Sequence, residues 1–434
     1  MIIDSGGSPI MGRNKVCRHI TILAFIIVAG IQGLRAQECT LQGIFHPDFA
    51  TLKVELERNP LAPPVIMQGS GDRVNVSFDE FSDEIRRMRC SLTHCNADWQ
   101  PSGLVESEYL NGFNEAMIDD GEFSRATFTH YVHYSLTIPS DNLAPMLPGN
   151  YVLRVYDELF PEKVLVQARF SICAQEVRIL ADVSPRTDID YLQTHQQLSF
   201  DIETSQSMIS NLYTDLKVCV MQNFRPETAV TLTSPSAVKG RTAVFSHLPE
   251  LIFDGGNEYR RMETISTSWP GMGVAHIESG ANGYTALLHK DTPRTDRQYE
   301  YDQTQAGRFT IREYNSSHSD TQAEYINTVF TLSTPKLNGV DVFLEGDLTD
   351  RQLRENSRMD YDSSLQAYVK ELFLKQGAYN YQYVTCKSDG SDPSTALTEG
   401  NFHETDNIYT IYVYYRRPSE RFDRLAGMTM VKRR

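Results

Sequence analysis

The chain alternates. From Arg86 to His94, Met88, Cys90, Leu92 and His94 fall on one face of an extended segment, and Arg87, Arg89, Ser91 and Thr93 on the other. Period two over such a length predicts a strand with one packed side and one wet side. The same pattern recurs at Tyr151–Tyr156 and Lys163–Ile172. The first follows Gly149-Asn150, and Asp157, Glu158 and Pro161 separate the two, which predicts a hairpin. Further runs rich in Val, Ile, Tyr, Phe and Thr cover 73–78, 127–138, 197–202, 215–221, 243–247, 328–332, 340–345, 366–375, 379–386 and 408–416. No segment carries a long helical stripe, and the best helix candidate, Asp350–Ser357, is a turn or two. The pattern predicts an all-β protein of tandem immunoglobulin-like or early-set β-sandwiches.

Turn-rich stretches divide the chain. Ser184-Pro185-Arg186-Thr187-Asp188 and Thr334-Pro335-Lys336 give an N-terminal sandwich over 37–175, a middle β-rich domain over 176–335 and a C-terminal early-set-like sandwich over 336–434. A length of 434 residues suits about three domains. No repeat of 20 to 50 residues is present, which disfavours solenoids and propellers.

The first 36 residues read as an address. Arg13, Lys15 and Arg18 precede the uncharged stretch Ile20–Ile31, which is long enough for a signal-peptide core and too short to span a bilayer. Gly33-Leu34-Arg35-Ala36 offers cleavage between Ala36 and Gln37, although Leu34 is larger than such sites prefer. Glu38 before Cys39 argues against lipidation. Removing this segment changes the formal net charge from -15 to -18. So acidic a body disfavours nucleic acid and anionic membrane surfaces as partners, and no other run predicts a membrane span. Cys39, Cys90, Cys95, Cys173, Cys219 and Cys386 would remain. They are too sparse for a disulfide scaffold, so they are expected as small buried side chains, with room for a bridge or two.

Chemistry is scarce. His94, Cys95 and Asp98 with His130 and His133 are zinc-ligand types. However, His130 and His133 would face opposite sides of a strand, and His94 shares its face with apolar residues, so a core histidine is expected and no metal site. Asp119, Asp120 and Glu122 read as a solvated turn. The chain lacks a Gly-x-Ser-x-Gly elbow, and no Lys-Ser or Lys-Thr pair follows Gly271-Met272-Gly273 to make a phosphate loop. No catalytic set and no cofactor are expected. An exported glycan-binding sandwich is the alternative reading, with an exposed tyrosine such as Tyr379 as its stacking platform.

Longer strings say more. His94-Cys95-Asn96-Ala97-Asp98-Trp99, Tyr109-Leu110-Asn111-Gly112-Phe113, Tyr131-Val132-His133-Tyr134 and Gly149-Asn150-Tyr151 resemble the plug protein family of the type IX secretion system. The resemblance continues through Gly255-Gly256-Asn257-Glu258-Tyr259-Arg260 and Leu374-Lys375-Gln376-Gly377-Ala378-Tyr379-Asn380-Tyr381, and so covers nearly the whole chain after residue 36. It implies a non-enzymatic subunit in the periplasm, at the inner face of the outer membrane. Its partner would be a large outer-membrane β-barrel translocon whose periplasmic mouth it closes. The motif residues are expected to be structural: Trp99 as a core anchor, Gly112 and Gly149 for special backbone geometry, Asn96 and Asp98 as turn or cap groups.

Overall fold

Strand pairing sorts the chain into three β-sandwich lobes. The computed structural model describes residues 41–118, 120–204 and 209–433; the expected signal segment, its cleavage bond and Cys39 lie outside them.

In lobe 1, Met88–Cys95 pairs antiparallel with Gly149–Asp157, which forms the predicted hairpin with Phe160–Cys173. A second sheet of Phe49–Leu56, Val74–Glu80, Val132–Ile138 and Gly121–Phe123 completes the sandwich. Met88, Cys90, Leu92 and His94 are buried, and Arg89, Ser91 and Thr93 are half-buried. Phe78, Tyr134, Leu153 and Phe170 fill the space between the sheets.

The other two lobes depart from the expected linear order. Leu216–Gln222 pairs with Ile408–Tyr415, and Arg424–Lys432 extends that sheet. These strands share one core with His195–Glu203 and Thr242–Phe245, through Leu198, Val218, Phe245, Tyr409 and Ile411. Lobe 2 is therefore assembled from two separate stretches of chain. Lobe 3, from Arg260 to Lys387 in its strands, is inserted between them. Its sheets pack on Met262, Phe330, Leu344 and Tyr383. The break expected at Pro335 falls inside this lobe, because Tyr325–Ser333 pairs with Ala367–Lys375. Alternation dictates which face of a strand is packed but not its partner strand, so a discontinuous lobe leaves no mark on the pattern.

The all-β, tandem-sandwich class holds. Among the described residues helix is confined to single turns such as Glu106–Tyr109 and Ser319–Gln322. Asp350–Ser357 forms turns rather than a helix, with Asp350 and Arg351 at positive φ. Among the described residues no helix is long and apolar enough to cross a membrane.

Candidate functional site

The chemistry-bearing side chains gather where the lobes meet. Lobes 1 and 3 are joined at Asp79, which is fully buried on Val74–Glu80. Lys375 Nζ donates to its Oδ2 at 2.5 Å, Tyr325 OH donates to the same oxygen at 2.6 Å, and His133 Nδ1 lies 2.7 Å from Oδ1. Burial alone would raise the Asp79 carboxyl; Lys375 and His133 outweigh it and hold it below its ordinary value. Lys375 also donates to Asp320 O and sits 4.2 Å from the Tyr131 ring centroid. Beside it, the Glu324 carboxylate accepts the backbone N–H groups of Phe128 and Thr129.

Lobes 1 and 2 meet around His94 and Asn150. Asn150 donates to Asn96 O at 2.9 Å, and its Oδ1 accepts Ser171 Oγ and Tyr414 OH. Asp423 accepts Ala97 N and Lys217 Nζ, while Asn96 Oδ1 accepts the Asp423 N–H. Phe422 reaches across to meet the His94 ring edge-on at 5.0 Å. His94 Nε2 lies 3.3 Å from Pro148 O, and Nδ1 is buried without a hydrogen-bond partner.

Burial pushes the His94 imidazole down to about 4, so the fold holds it neutral. The unfolded chain binds the extra proton between about pH 6.5 and 4. His94 therefore supports stability fully above about pH 6.5, and that support is lost as pH falls toward 4, amounting to about 3 kcal/mol. We expect His94→Phe to flatten this acid limb in urea titrations while leaving stability at pH 8 little changed. An unaltered limb would show that other groups carry it.

Where the chain enters and leaves lobe 3, Asn407 Nδ2 donates to Gly255 O, and Asn223 Nδ2 donates to Asn407 Oδ1. Gln196 donates to His403 O and Thr405 O. Within lobe 3, Arg260 grips the buried Glu399 carboxylate with two N–H groups at 3.0 and 2.9 Å and reaches Asp291 at 2.7 Å. Arg294 adds a third contact to Glu399 at 2.7 Å. Burial opposes ionisation of Glu399, and the two arginines overcome it, keeping the carboxyl below its usual value.

The remaining motif residues are distributed through this framework. Asp98 Oδ1 accepts Gln100 N, Tyr134 OH accepts Arg86 N, and Tyr151 OH donates to Leu147 O. Asn257 donates to Glu399 O, and Gly256 lies at φ +59. A Cβ on Gly377 would fall 2.5 Å from Thr310 O. Tyr379 OH bonds Lys375 O, and Tyr381 OH bonds Asp291. Two expectations need correction. Trp99 is no core anchor: it is half-buried, at φ +62, with the Arg169 guanidinium 4.4 Å over its ring. Phe113, after Gly112 at φ +98, is 88% exposed and outside the core.

Tyr379 is 2% exposed, and Tyr381 and Tyr383 are equally buried, so the stacking platform of the glycan reading is absent at these positions. His94, His130 and His133 are not brought together: His130 is exposed beside Asp83, and His133 faces Asp79. Among the described residues no group of three or more His, Cys, Asp or Glu side chains is placed to hold a metal ion. Cys90, Cys173, Cys219 and Cys386 are free thiols, all buried except the half-buried Cys219, and Cys95 is buried. None of these five forms the bridge that composition allowed.

Sequence reasoning missed Asp79 and Lys375 as a pair, and Arg308. Asp79 lies just past a predicted strand run and Lys375 ends one, where the solvated face is the default expectation, and Arg308 lies in no predicted strand. All three lobes also border a cavity of about 250 Å³, lined by Leu52, Trp99 and Arg169 of lobe 1, Met221 and Tyr412 of lobe 2, and Arg308 of lobe 3.

Residues 49–174, essentially lobe 1, match the first domain of the type 9 secretion system plug protein. The chain belongs to the type IX secretion system plug protein family. A hypothetical protein from Parabacteroides merdae ATCC 43184, known from a crystal structure, is 38% identical with a TM-score of 0.89; the match covers 91% of this chain and 99% of that one. The three-lobe fold thus recurs in a second protein. Collagen adhesin from S. aureus aligns over 89% of this chain and 92% of its own, but at 7% identity and a TM-score of 0.13 it carries no structural argument. No curated protein matches at a significant level. The plug family is a non-catalytic structural component of type IX secretion.

Proposed function

We propose that this protein is the periplasmic plug of a type IX secretion translocon, a non-enzymatic subunit that closes the periplasmic mouth of a large outer-membrane β-barrel when no cargo is passing. Family membership supports the assignment to the secretion system. The observation that carries the occluding role is the construction of the joints: the Asp79–Lys375 pair between lobes 1 and 3, the Asn150–Tyr414 bond between lobes 1 and 2, and the buried Arg351 Nη1 donating to Asn223 O between lobes 3 and 2 lock three sandwiches together. A body that blocks a wide pore must resist being threaded or pulled apart, and domains joined only by exposed linkers would not. It also needs a docking area commonly above about 1,000 Å², which a body of three lobes can present.

The test is genetic and biochemical. The tagged chain should co-purify with an outer-membrane barrel in mild detergent. Its deletion, with the barrel retained, should raise outer-membrane permeability to a bulky antibiotic. Unchanged permeability in that strain would overturn the occluding role.

A further inference from the structure

The cavity at the three-lobe junction has a lining of mixed character, part apolar and part charged. Leu52, Trp99, Met221, Phe224 and Tyr412 give it an apolar, aromatic part, and Arg169, Arg308 and Arg351 border it as cations. Of these cations, Arg308 has its Nη1 donating to Pro60 O and Ala62 O while Phe224 covers its face at 4.4 Å. No carboxylate of the described residues forms an ion pair with Arg308. The acids that border the cavity are otherwise engaged. Glu55 pairs with Lys53 at 2.9 Å, and Asp347 pairs with Arg351. Burial, ahead of the nearby Asp347 charge, pushes the Asp350 carboxyl up to about 7. A half-buried guanidinium held by carbonyls and an aromatic ring has N–H groups left for an anion, and a carboxylate matches its fork.

We propose that this cavity binds a medium-chain carboxylate, with the acyl chain along the apolar wall and the carboxylate on Arg308. Charge complementarity selects the head group. Volume limits the tail, since about 250 Å³ lies just below the usual range of ligand pockets, about 300–1,000 Å³. The inference stands apart from pore closure and holds or fails without it.

Titration calorimetry on the purified chain, with ligands kept below their micelle concentrations, tests it. Decanoate should bind once per chain, decanol about tenfold more weakly, and decylamine not at all. Arg308→Gln should abolish the preference for decanoate over decanol, and Arg308→Lys should retain part of it. Met221, half-buried on a strand face turned away from the lobe 2 core, allows a second variant: Met221→Trp should narrow the cavity and weaken decanoate about tenfold. Because Arg308 also ties lobe 3 to the Pro60 segment, the head-group series on the unaltered chain keeps the test intact if Arg308→Gln does not fold. Equal affinity for decanoate and decanol, several equivalent ligands per chain, or no decanoate binding would each overturn the proposal.

Discussion

Lys375→Met should lower the stability of the folded chain by about 3–5 kcal/mol, because it strands the Asp79 carboxylate in a buried site without its cation. Lys375 is 1% exposed and Asp79 0%, so water cannot replace the lost partner. Tyr325 and His133 would still hydrogen-bond Asp79, but neither supplies the ammonium charge at 2.5 Å. The pH dependence should change sign. In the natural chain the Asp79 carboxyl is held below its ordinary value, so its support is complete above about pH 4 and is lost as pH falls through the lowered folded value. In the variant, burial dominates and raises the carboxyl, so folding favours its protonated form and stability falls as pH rises. Urea unfolding at mildly acidic and alkaline pH reads both effects. The double variant Asp79→Asn with Lys375→Met should regain more than half of the loss, since no charge is then left buried. A cost for Lys375→Met below about 1 kcal/mol would mean that the pair does not hold lobes 1 and 3 together.

That pair marks the limit of what the pattern of residues can say. Alternation located the strands because burial on one face of a sheet selects residues two apart, and Met88, Cys90 and Leu92 are packed as their spacing predicts. The Gly149–Cys173 hairpin was equally legible, because its partners are neighbours in sequence. Partners far apart were not. Nothing local in Leu216–Gln222 says that its neighbour is Ile408–Tyr415, and with that pairing the extent of lobe 2 stayed hidden. Charges at joints were hidden for a related reason. Asp79 and Lys375 pair from separate lobes, 296 residues apart in sequence, so nothing local marks either as the partner of the other. Of the residues in the long motif strings, Asn96, His94, Gly149 and Asn150 all lie at the lobe 1–lobe 2 joint. Trp99 and Phe113 show the converse, since an aromatic side chain in such a string need not lie in a core.

Gly149→Ala should be comparably damaging, for two separable reasons. Gly149 lies at φ +144, a conformation open to glycine and strained for any other residue, at a cost of about 1–3 kcal/mol. A Cβ there would also stand 2.5 Å from His94 Nε2 and 3.3 Å from Asp423 O. His94 cannot swing aside, because Tyr151 and Phe422 each meet its ring edge-on at 5.0 Å. Relieving the overlap should cost a further 1–3 kcal/mol, approximately, as in other overpacked cores. The imidazole can move only by displacing Phe422, and with it the Arg416–Arg424 segment that carries Asp423 to Asn96 and Ala97. Amide hydrogen exchange should therefore quicken at Asp423 and Leu425 in Gly149→Ala before the lobe 1 core is affected. A double-mutant cycle with His94→Ala separates the two causes. Removing the ring eliminates the overlap but not the backbone strain, so the pair should fall short of additivity by about 1–2 kcal/mol. Strict additivity would assign the whole cost to the backbone and leave the His94 contact with no part in closing this joint.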